Sequence, residues 1–248
     1  MKKTIISLIA IVAMAVLISG AAAGCVSVNF AGLGTVTGKG NQETYEYEAG
    51  EITEIKMMLY CDIGYYSAPS DTVTLKIQPN LKEYVEVAES NGILTVRSTK
   101  NLTWTGNAPV LTVSSPALRS VTLEGAGEFT AHDAITTETF SFDLGGAGTG
   151  TAELDVKDLK INMSGAGTME LTGTADTASL KLSGAGSINA LELQTRTTDI
   201  VMAGVGSVKI SCSDTLRIDA AGLGTVDYRG NPSVDLSKGG MVTVNKIS

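Results

Sequence analysis

The stretch MSGAGTMELT, Met163 to Thr172, contains a glycine triplet that decides the fold because it returns along the chain. Triplets of glycine, a small or aliphatic residue and glycine begin at residues 125, 146, 165, 184, 204 and 222. A phosphate-binding glycine loop is instead a single feature between a strand and a helix, supported by a lysine or an acidic residue. Recurrence at a period of about 20 residues predicts a solenoid with one triplet in each coil.

Apolar residues flank each triplet at a spacing of two, which is strand periodicity. Two apolar columns result: Leu123, Leu144, Met163, Leu182, Met202 and Ala220 before the triplets, and Phe129, Gly150, Met169, Ile188, Val208 and Val226 after them. The column next to the second one is polar and is expected to face water: Thr130, Thr151, Glu170, Asn189, Lys209 and Asp227. The leucine ladder and asparagine of a leucine-rich repeat are missing. We therefore predict an all-β fold, a parallel β-helix with about 20-residue coils.

The glycines are expected to serve the corners of the coils, where they permit either positive φ or a tight bend that a side chain would obstruct. The C-terminal VDLSKGGMVTVNKIS, residues 234–248, is interpreted as a divergent seventh coil. In it Lys238-Gly239-Gly240 replaces the triplet, and the coil is expected to cap the exposed end of the solenoid.

The N-terminal half alternates less regularly, with turn signals at Pro79-Asn80 and Asn91-Gly92. Its strands are expected to form the opening coils with longer excursions. We assign residues 43–248 to the β-helix domain, with regular glycine-corner coils from about residue 118, and residues 25–42 to a tether.

Residues 1–24 have the order of a secretory signal peptide: two lysines, an apolar run and small residues. Cleavage is expected either within Ala21–Ala23 or before Cys25, where AAGC resembles a lipobox and predicts lipidation of Cys25. Removing Lys2 and Lys3 leaves 16 basic and 26 acidic residues, a net charge of −10. This balance argues against nucleic acid, and against any membrane contact except through a lipid anchor. We predict an exported, lipid-anchored protein of the cell envelope or surface.

Candidate chemistry is sparse in the sequence. His132, the single histidine, stands beside Asp133, and Glu153, Asp155 and Asp158 lie close together, but no zinc-ligand spacing or nucleophile elbow accompanies them. We predict no catalytic, metal or cofactor-binding residue and no cofactor. Cys61 and Cys212 either pair in an oxidising compartment or stay free.

Aromatic residues gather at Tyr60, Tyr65 and Tyr66, with Trp104 in NLTWTGN. Aromatic rings on exposed turns stack on sugars or on peptide side chains. Tyr65, Tyr66 and Trp104 are therefore candidate ligand contacts; the alternative is that the rings cover the end of a thin core.

The run from about Asn41 to Ile247 resembles the family described as "putative auto-transporter adhesin, head-GIN domain". The resemblance is carried by MSGAGTMEL, LSGAGSINAL, PALRSVTLEGAGEF, VDYRGNPSV and YVEVAESNGILTVRST, and the segment Tyr60–Asp71 departs from it. It implies a pectate-lyase-like, right-handed single-stranded β-helix on an exported protein. It also implies a non-enzymatic adhesin or surface-binding domain that contacts a glycan, matrix or surface protein. Two alternatives remain: a polysaccharide-active enzyme, or a structural envelope lipoprotein with no ligand of its own.

Overall fold

The computed structural model describes residues 34–248, which are 70% strand and 2% helix. Parallel coils of about 19 residues stack into a solenoid of about seven turns. This confirms the predicted parallel β-helix. The predicted signal peptide at residues 1–24 and the predicted lipidation site at Cys25 lie outside the described residues.

The N-terminal part contains nine strands and one short helix. They are β1 Thr35–Thr37, β2 Glu43–Tyr47, β3 Glu54–Met57, β4 Asp62–Tyr66, β5 Thr72–Ile77, α1 Pro79–Lys82, β6 Val85–Ser90, β7 Ile93–Ser98, β8 Asn101–Thr103 and β9 Val110–Ser114.

This part forms the opening coils, as predicted. It contributes two stacked coils, and their order along the solenoid is the reverse of their order in the chain. Strands β3 and β4 pair in parallel with the first glycine coil, and β7 and β9 pair in parallel with the outer side of β3 and β4. The chain returns through antiparallel strands: β6 forms a hairpin with β7, and β5 pairs with both β9 and β2. The predicted turn at Asn91-Gly92 closes that hairpin with both residues at positive φ, 53° and 83°. The antiparallel strands cap the N-terminal end.

Residues 35–42, assigned above to the tether, are docked against this cap. Strand β1 pairs in parallel with β8. The side chain of Asn80 joins the two segments, since it accepts a hydrogen bond from the Lys39 N–H at 2.7 Å and donates one to the Thr37 carbonyl at 2.9 Å. The tether prediction is therefore corrected for this stretch, because these backbone groups find partners on the domain.

The glycine coils follow in sequence order. Their strands are β10 Ser120–Leu123, β11 Ala126–Ala131, β12 Ile135–Leu144, β13 Ala147–Met163, β14 Ala166–Leu182, β15 Ala185–Met202, β16 Val205–Ala220, β17 Leu223–Arg229, β18 Ser233–Lys238 and β19 Met241–Lys246. The long strands bend around corners, so one strand covers more than one side of the coil.

The register of these strands confirms the predicted columns. Leu144, Met163 and Leu182 are direct partners in successive coils, and so are Gly150, Met169 and Ile188. Both columns are buried and form the core. The predicted polar column is in register from Thr130 to Asp227 and continues to Asn245. Strand periodicity thus determined which residues face inward.

The first glycine of each triplet is required for close stacking. The carbonyl of Gly146 accepts a hydrogen bond from the Ala166 N–H at 2.9 Å, and a Cβ placed on Gly165 would collide with that same carbonyl oxygen. Gly165 does not adopt positive φ, so the stacking explanation holds at this position and the positive-φ alternative does not. Positive φ occurs at the third glycine of some coils, for example 138° at Gly127.

The C-terminal tail forms the predicted seventh coil, with β18 and β19 pairing in parallel on β16 and β17. The register places Gly240-Met241-Val242, rather than Lys238-Gly239-Gly240, at the triplet position. Lys238 continues the column of Ala220, and Lys246 continues the column of Tyr228. A lysine at the end of an inward column discourages edge-to-edge pairing with another chain. The two lysines are therefore expected to discourage such pairing, although Val234 and Leu236 of β18 remain exposed beside them.

Candidate functional site

Tyr60 and Trp104 meet at the corner of the second stacked coil. Tyr60 lies between β3 and β4, where it forms a parallel bridge with Ala126 of the next coil. Trp104 directly follows β8, and its ring centroid lies 4.7 Å from that of Tyr60 with the planes tilted by 37°. The two rings are partly buried, so each keeps an accessible surface.

A cavity of about 230 Å³ opens beside these rings. Its lining is mostly apolar, from Met58, Leu102 and the corner residues Ala126 and Ala147 together with the two rings. Charged groups stand at its edge: Lys100 lines it, and so does Glu124, which forms an ion pair with Lys56 at 2.9 Å. An apolar, aromatic cavity with a few polar groups is the usual form of a binding site for a small ligand or a side chain.

Burial raises the pKa of several groups near the cavity. It raises the pKa of Tyr60, an effect to which the nearby Asp62 carboxylate adds. Burial also raises the pKa of the Asp62 carboxyl, although the Glu128 N–H donates to it at 3.0 Å. Cys61, between them, is a buried thiol whose pKa burial raises. Cys61 and Cys212 are both free, so the disulfide alternative is not realised here.

The structure places Tyr65 and Tyr66, two of the predicted ligand contacts, in different environments. Tyr65 is only 2% exposed, and its hydroxyl donates a hydrogen bond of 2.7 Å to the Ser115 carbonyl. Its assignment as a ligand contact is therefore wrong, because the side chain belongs to the core. Side chains alternate along β4, so the neighbouring Tyr66 points outward and is 40% exposed.

Replacing Tyr65 by phenylalanine is expected to lower the free energy of unfolding by about 1–2 kcal/mol, because the buried Ser115 carbonyl loses its donor. Tyr66→Phe is the matched control and should change stability by less than about 0.5 kcal/mol. Urea unfolding followed by circular dichroism measures both. Equal effects of the two substitutions would contradict the assignment of Tyr65 to the core.

His132 stacks on Tyr66 with ring centroids 4.6 Å apart and planes inclined by 17°. The neighbouring Asp133 carboxylate accepts a hydrogen bond from the Ser67 N–H at 3.0 Å. These contacts form a second aromatic cluster, separate from the Tyr60–Trp104 cavity. Within residues 34–248, no three His, Cys, Asp or Glu side chains come together in a way that could hold a metal ion.

Two of the three acidic residues that lie close together in the sequence, Asp155 and Asp158, form hydrogen bonds to the next coil. Asp155 accepts from the Thr174 hydroxyl at 3.0 Å, and Asp158 accepts from the Thr177 hydroxyl at 2.6 Å. Both carboxylates are exposed, as is that of Glu153. They form rungs on the surface of the solenoid.

A column of charges of alternating sign, which was not predicted from the sequence, borders an open groove of about 680 Å³. Its members are Glu138, Lys157, Asp176, Arg196 and Asp214. The sequence contains this pattern as charges of alternating sign that recur at the period of the coils. The pKa of Glu138 is lowered because Lys157 donates a hydrogen bond to it at 2.6 Å, and each basic residue has an acidic neighbour. The charges are satisfied within the column, which makes this groove a weaker candidate than the aromatic cavity.

Comparisons with known proteins agree with this architecture. The family model described as "Putative auto-transporter adhesin, head GIN domain" matches residues 51–232. The chain belongs to this family. No curated protein matches the chain. The head-GIN model spans both the aromatic corner and all six triplets, and the family identifies an exported or cell-surface protein.

Solved structures resemble this head-GIN chain over most of its length. A "putative adhesin" from Bacteroides fragilis has a TM-score of 0.82 at 23% identity, over 86% of this chain and 100% of that one. A "putative lipid binding protein" from Parabacteroides distasonis has a TM-score of 0.68 at 18% identity, over 87% and 100%. A "putative adhesin" from Parabacteroides merdae has a TM-score of 0.66 at 21% identity, over 86% and 99%. At these identities the likeness establishes the fold alone.

None of the helices found between residues 34 and 248 has the length and apolar character needed to cross a membrane.

Proposed function

We propose that this head-GIN protein is a non-enzymatic adhesin of the cell envelope, and that the Tyr60–Trp104 cavity is its recognition site. The observation that carries the proposal is the pair of partly exposed rings over an apolar cavity of about 230 Å³. Family membership supports an adhesive role. Aromatic rings supply a large contact area at a low cost in side-chain entropy, which suits repeated, reversible binding.

The chemistry of the cavity favours a ligand with an apolar face and a polar rim. The rings and the corner alanines offer C–H and π surface, whereas Lys100 and Glu124 offer a donor and an acceptor at the edge. A pyranose ring has this distribution of groups, because its C–H bonds form a face and its hydroxyls form a rim. A sugar residue of a surface or matrix glycan is therefore the ligand that we propose.

The length of the N-terminal segment limits how far the domain can lie from a membrane anchor. Cys25 is proposed as the lipidated first residue, and eight residues lie between it and Gly34, where the described chain begins. The nine residue-to-residue steps from Cys25 to Gly34 reach at most about 30 Å. The domain would therefore be held close to the membrane, with the cap that carries the cavity at the anchored end.

The experiment is a binding screen of the mature chain against an array of glycans and matrix proteins, with the same polysaccharides assayed for cleavage. Trp104→Ala is expected to weaken binding by about tenfold, because a stacking ring is removed. Tyr66→Ala is the matched control, since it removes an exposed ring outside the cavity and should leave binding unchanged. Acyl-chain probes belong in the screen because one structural neighbour is described as a lipid-binding protein.

Two outcomes would contradict the proposal. Turnover of any polysaccharide would favour the alternative of a polysaccharide-active enzyme. A Trp104→Ala variant that keeps its affinity, with the same melting temperature as the parent protein, would remove the cavity as the recognition site.

A further inference from the structure

The floor of the aromatic cavity is the beginning of a column that runs the length of the solenoid. Tyr60 pairs with Ala126, and the register continues through the middle residues of the triplets. We call this column the corner stripe: Tyr60, Ala126, Ala147, Ala166, Ala185, Val205, Leu223 and Met241. At about 4.8 Å for each coil its length is about 34 Å.

The far half of the corner stripe exposes large apolar side chains. Val205 is 54% exposed, Leu223 is 42% exposed and Met241 is 78% exposed. Exposed apolar side chains that form one continuous row are typical of an interaction surface, whereas isolated ones are common and need no explanation. The stripe therefore has an aromatic cavity at one end and an aliphatic ridge at the other.

A hydroxyl column runs beside the corner stripe, two residues further along each coil. Its members are Thr149, Thr168, Ser187, Ser207, Thr225 and Thr243. Ser187 and Ser207 lie 2.9 Å apart between their hydroxyl oxygens. The five-residue corners of these six coils, from 145–149 to 239–243, contain no charged residue, in a chain that carries 44 (18 basic and 26 acidic). The corner 124–128 at the cavity end contains Glu124 and Glu128, so the uncharged part of the stripe begins at Ala147.

The dimensions of the stripe argue against a second copy of this chain as its occupant. A stripe of about 34 Å by about 10 Å offers about 340 Å². A stable protein interface needs about 800 Å² from each partner. The surface suits a single narrow chain.

The hydrogen bonds of the corners exclude a peptide strand. The N–H groups of Ala147, Ala166 and Ala185 each donate to a carbonyl of the preceding coil, at 3.1, 2.9 and 3.0 Å. Because these backbone groups are used within the stack, they cannot pair with an added strand. A peptide could therefore be held only by its side chains, whereas a glycan can pack its C–H faces on the stripe and keep its hydroxyls toward solvent or toward the hydroxyl column.

We propose that the corner stripe binds an uncharged linear polysaccharide that lies along the solenoid axis, with one sugar residue over each coil and the Tyr60–Trp104 cavity holding one end. The coil spacing is close to the length of one sugar residue in an extended β-linked chain. This inference rests on the proposed function, because it extends the same site and names its ligand class.

The test is a length series of β-linked glucose oligosaccharides, from disaccharide to decasaccharide, titrated into the mature protein by calorimetry. Affinity is expected to rise with length until the oligosaccharide spans the stripe, and then to level off. Ala166→Glu, which places a charge at the middle of the stripe, should weaken the longest oligosaccharides by about tenfold and leave the disaccharide unchanged. Thr151→Glu is the matched control: it is exposed in the neighbouring coil, in the column that already contains Glu170, and should change neither.

The outcomes separate the two proposals. If affinity does not depend on length and Ala166→Glu has no effect, while Trp104→Ala still weakens binding, the stripe proposal fails and the cavity proposal stands. If no oligosaccharide binds, while a matrix protein binds and depends on Trp104, the polysaccharide proposal fails and the adhesin remains. Loss of the longest oligosaccharides in both Ala166→Glu and Thr151→Glu would also overturn the assignment to the stripe.

Discussion

Replacing Gly146 by alanine is expected to lower the free energy of unfolding by about 3 kcal/mol, whereas the same change at the adjacent Gly145 should alter it by less than about 0.5 kcal/mol. A Cβ on Gly146 would collide with the carbonyl oxygen of Gly125, which already accepts a hydrogen bond from the Ala147 N–H. A Cβ on Gly145 would meet its nearest neighbour, the Leu123 carbonyl oxygen, at 3.8 Å, an ordinary contact.

The pair is informative because both residues are glycines at the same corner and neither adopts positive φ. The collision involves backbone on both sides, so relief requires the two coils to separate. Urea unfolding followed by circular dichroism measures the difference between the two variants. Gly165→Val should behave like Gly146→Ala or worse, since its Cβ would collide with the Gly146 carbonyl oxygen. Similar stabilities for the Gly146 and Gly145 variants would refute the stacking explanation of the triplets.

Replacing Phe142 by alanine is expected to lower the free energy of unfolding by about 4 kcal/mol, the middle of the range for a large buried aromatic side chain. Phe142 is fully buried and packs edge to face against Phe129, with ring centroids 5.4 Å apart and planes inclined by 67°. The interior of the solenoid is only a few side chains wide, so the neighbouring columns have little freedom to close the cavity that remains. Thermal and urea unfolding of Phe142→Ala measure the loss, with Phe142→Leu as the smaller step.

Gly150 lies next to the Phe142 ring, so a second substitution there tests how tightly the core is packed around that ring. A Cβ on Gly150 would lie 3.1 Å from the Phe142 ring and 2.6 Å from the Met169 sulfur. Gly150→Ala should therefore be more favourable in the Phe142→Ala background, where the ring has gone, than in the parent protein. The expected coupling energy in this double-mutant cycle is about 1 kcal/mol. Additive effects would show that the two residues do not share the space.

The sequence determined the solenoid because each coil repeats the same local pattern. Alternation with period two fixes which side chains point inward, and a triplet at every corner fixes how far one coil lies from the next. Register near the triplets then follows from the pattern, as the column of Leu144, Met163 and Leu182 shows. Away from the triplets it shifts where successive coils differ in length, as between β14 and β15 after Glu170. The same regularity made the cores of the coils and the exposed polar column predictable.

For the N-terminal coils, the sequence predicts the strands but not the order in which the coils stack. Their stacking order is set by long-range pairings, in which β3 lies between β7 and β10 although both follow it in the chain. The alternation of apolar and polar residues does not determine which strand becomes a neighbour, because the inward-facing residues of one strand pack equally well against any adjacent coil. The same reason explains why the docking of β1 on β8 was missed.

The candidate site shows most clearly which features the sequence predicts and which depend on tertiary contacts. The sequence grouped the aromatic residues but could not separate Tyr65 from Tyr66, because the face of a short irregular strand depends on the coil against which it packs. Tyr60 and Trp104 are 44 residues apart in sequence and meet only because β8 folds back over the corner of an earlier coil. By itself the sequence determined a repeating coil, its core columns and its family resemblance. The tertiary structure alone decided the order of the capping strands and the cavity, since contacts between distant segments carry no periodic signal.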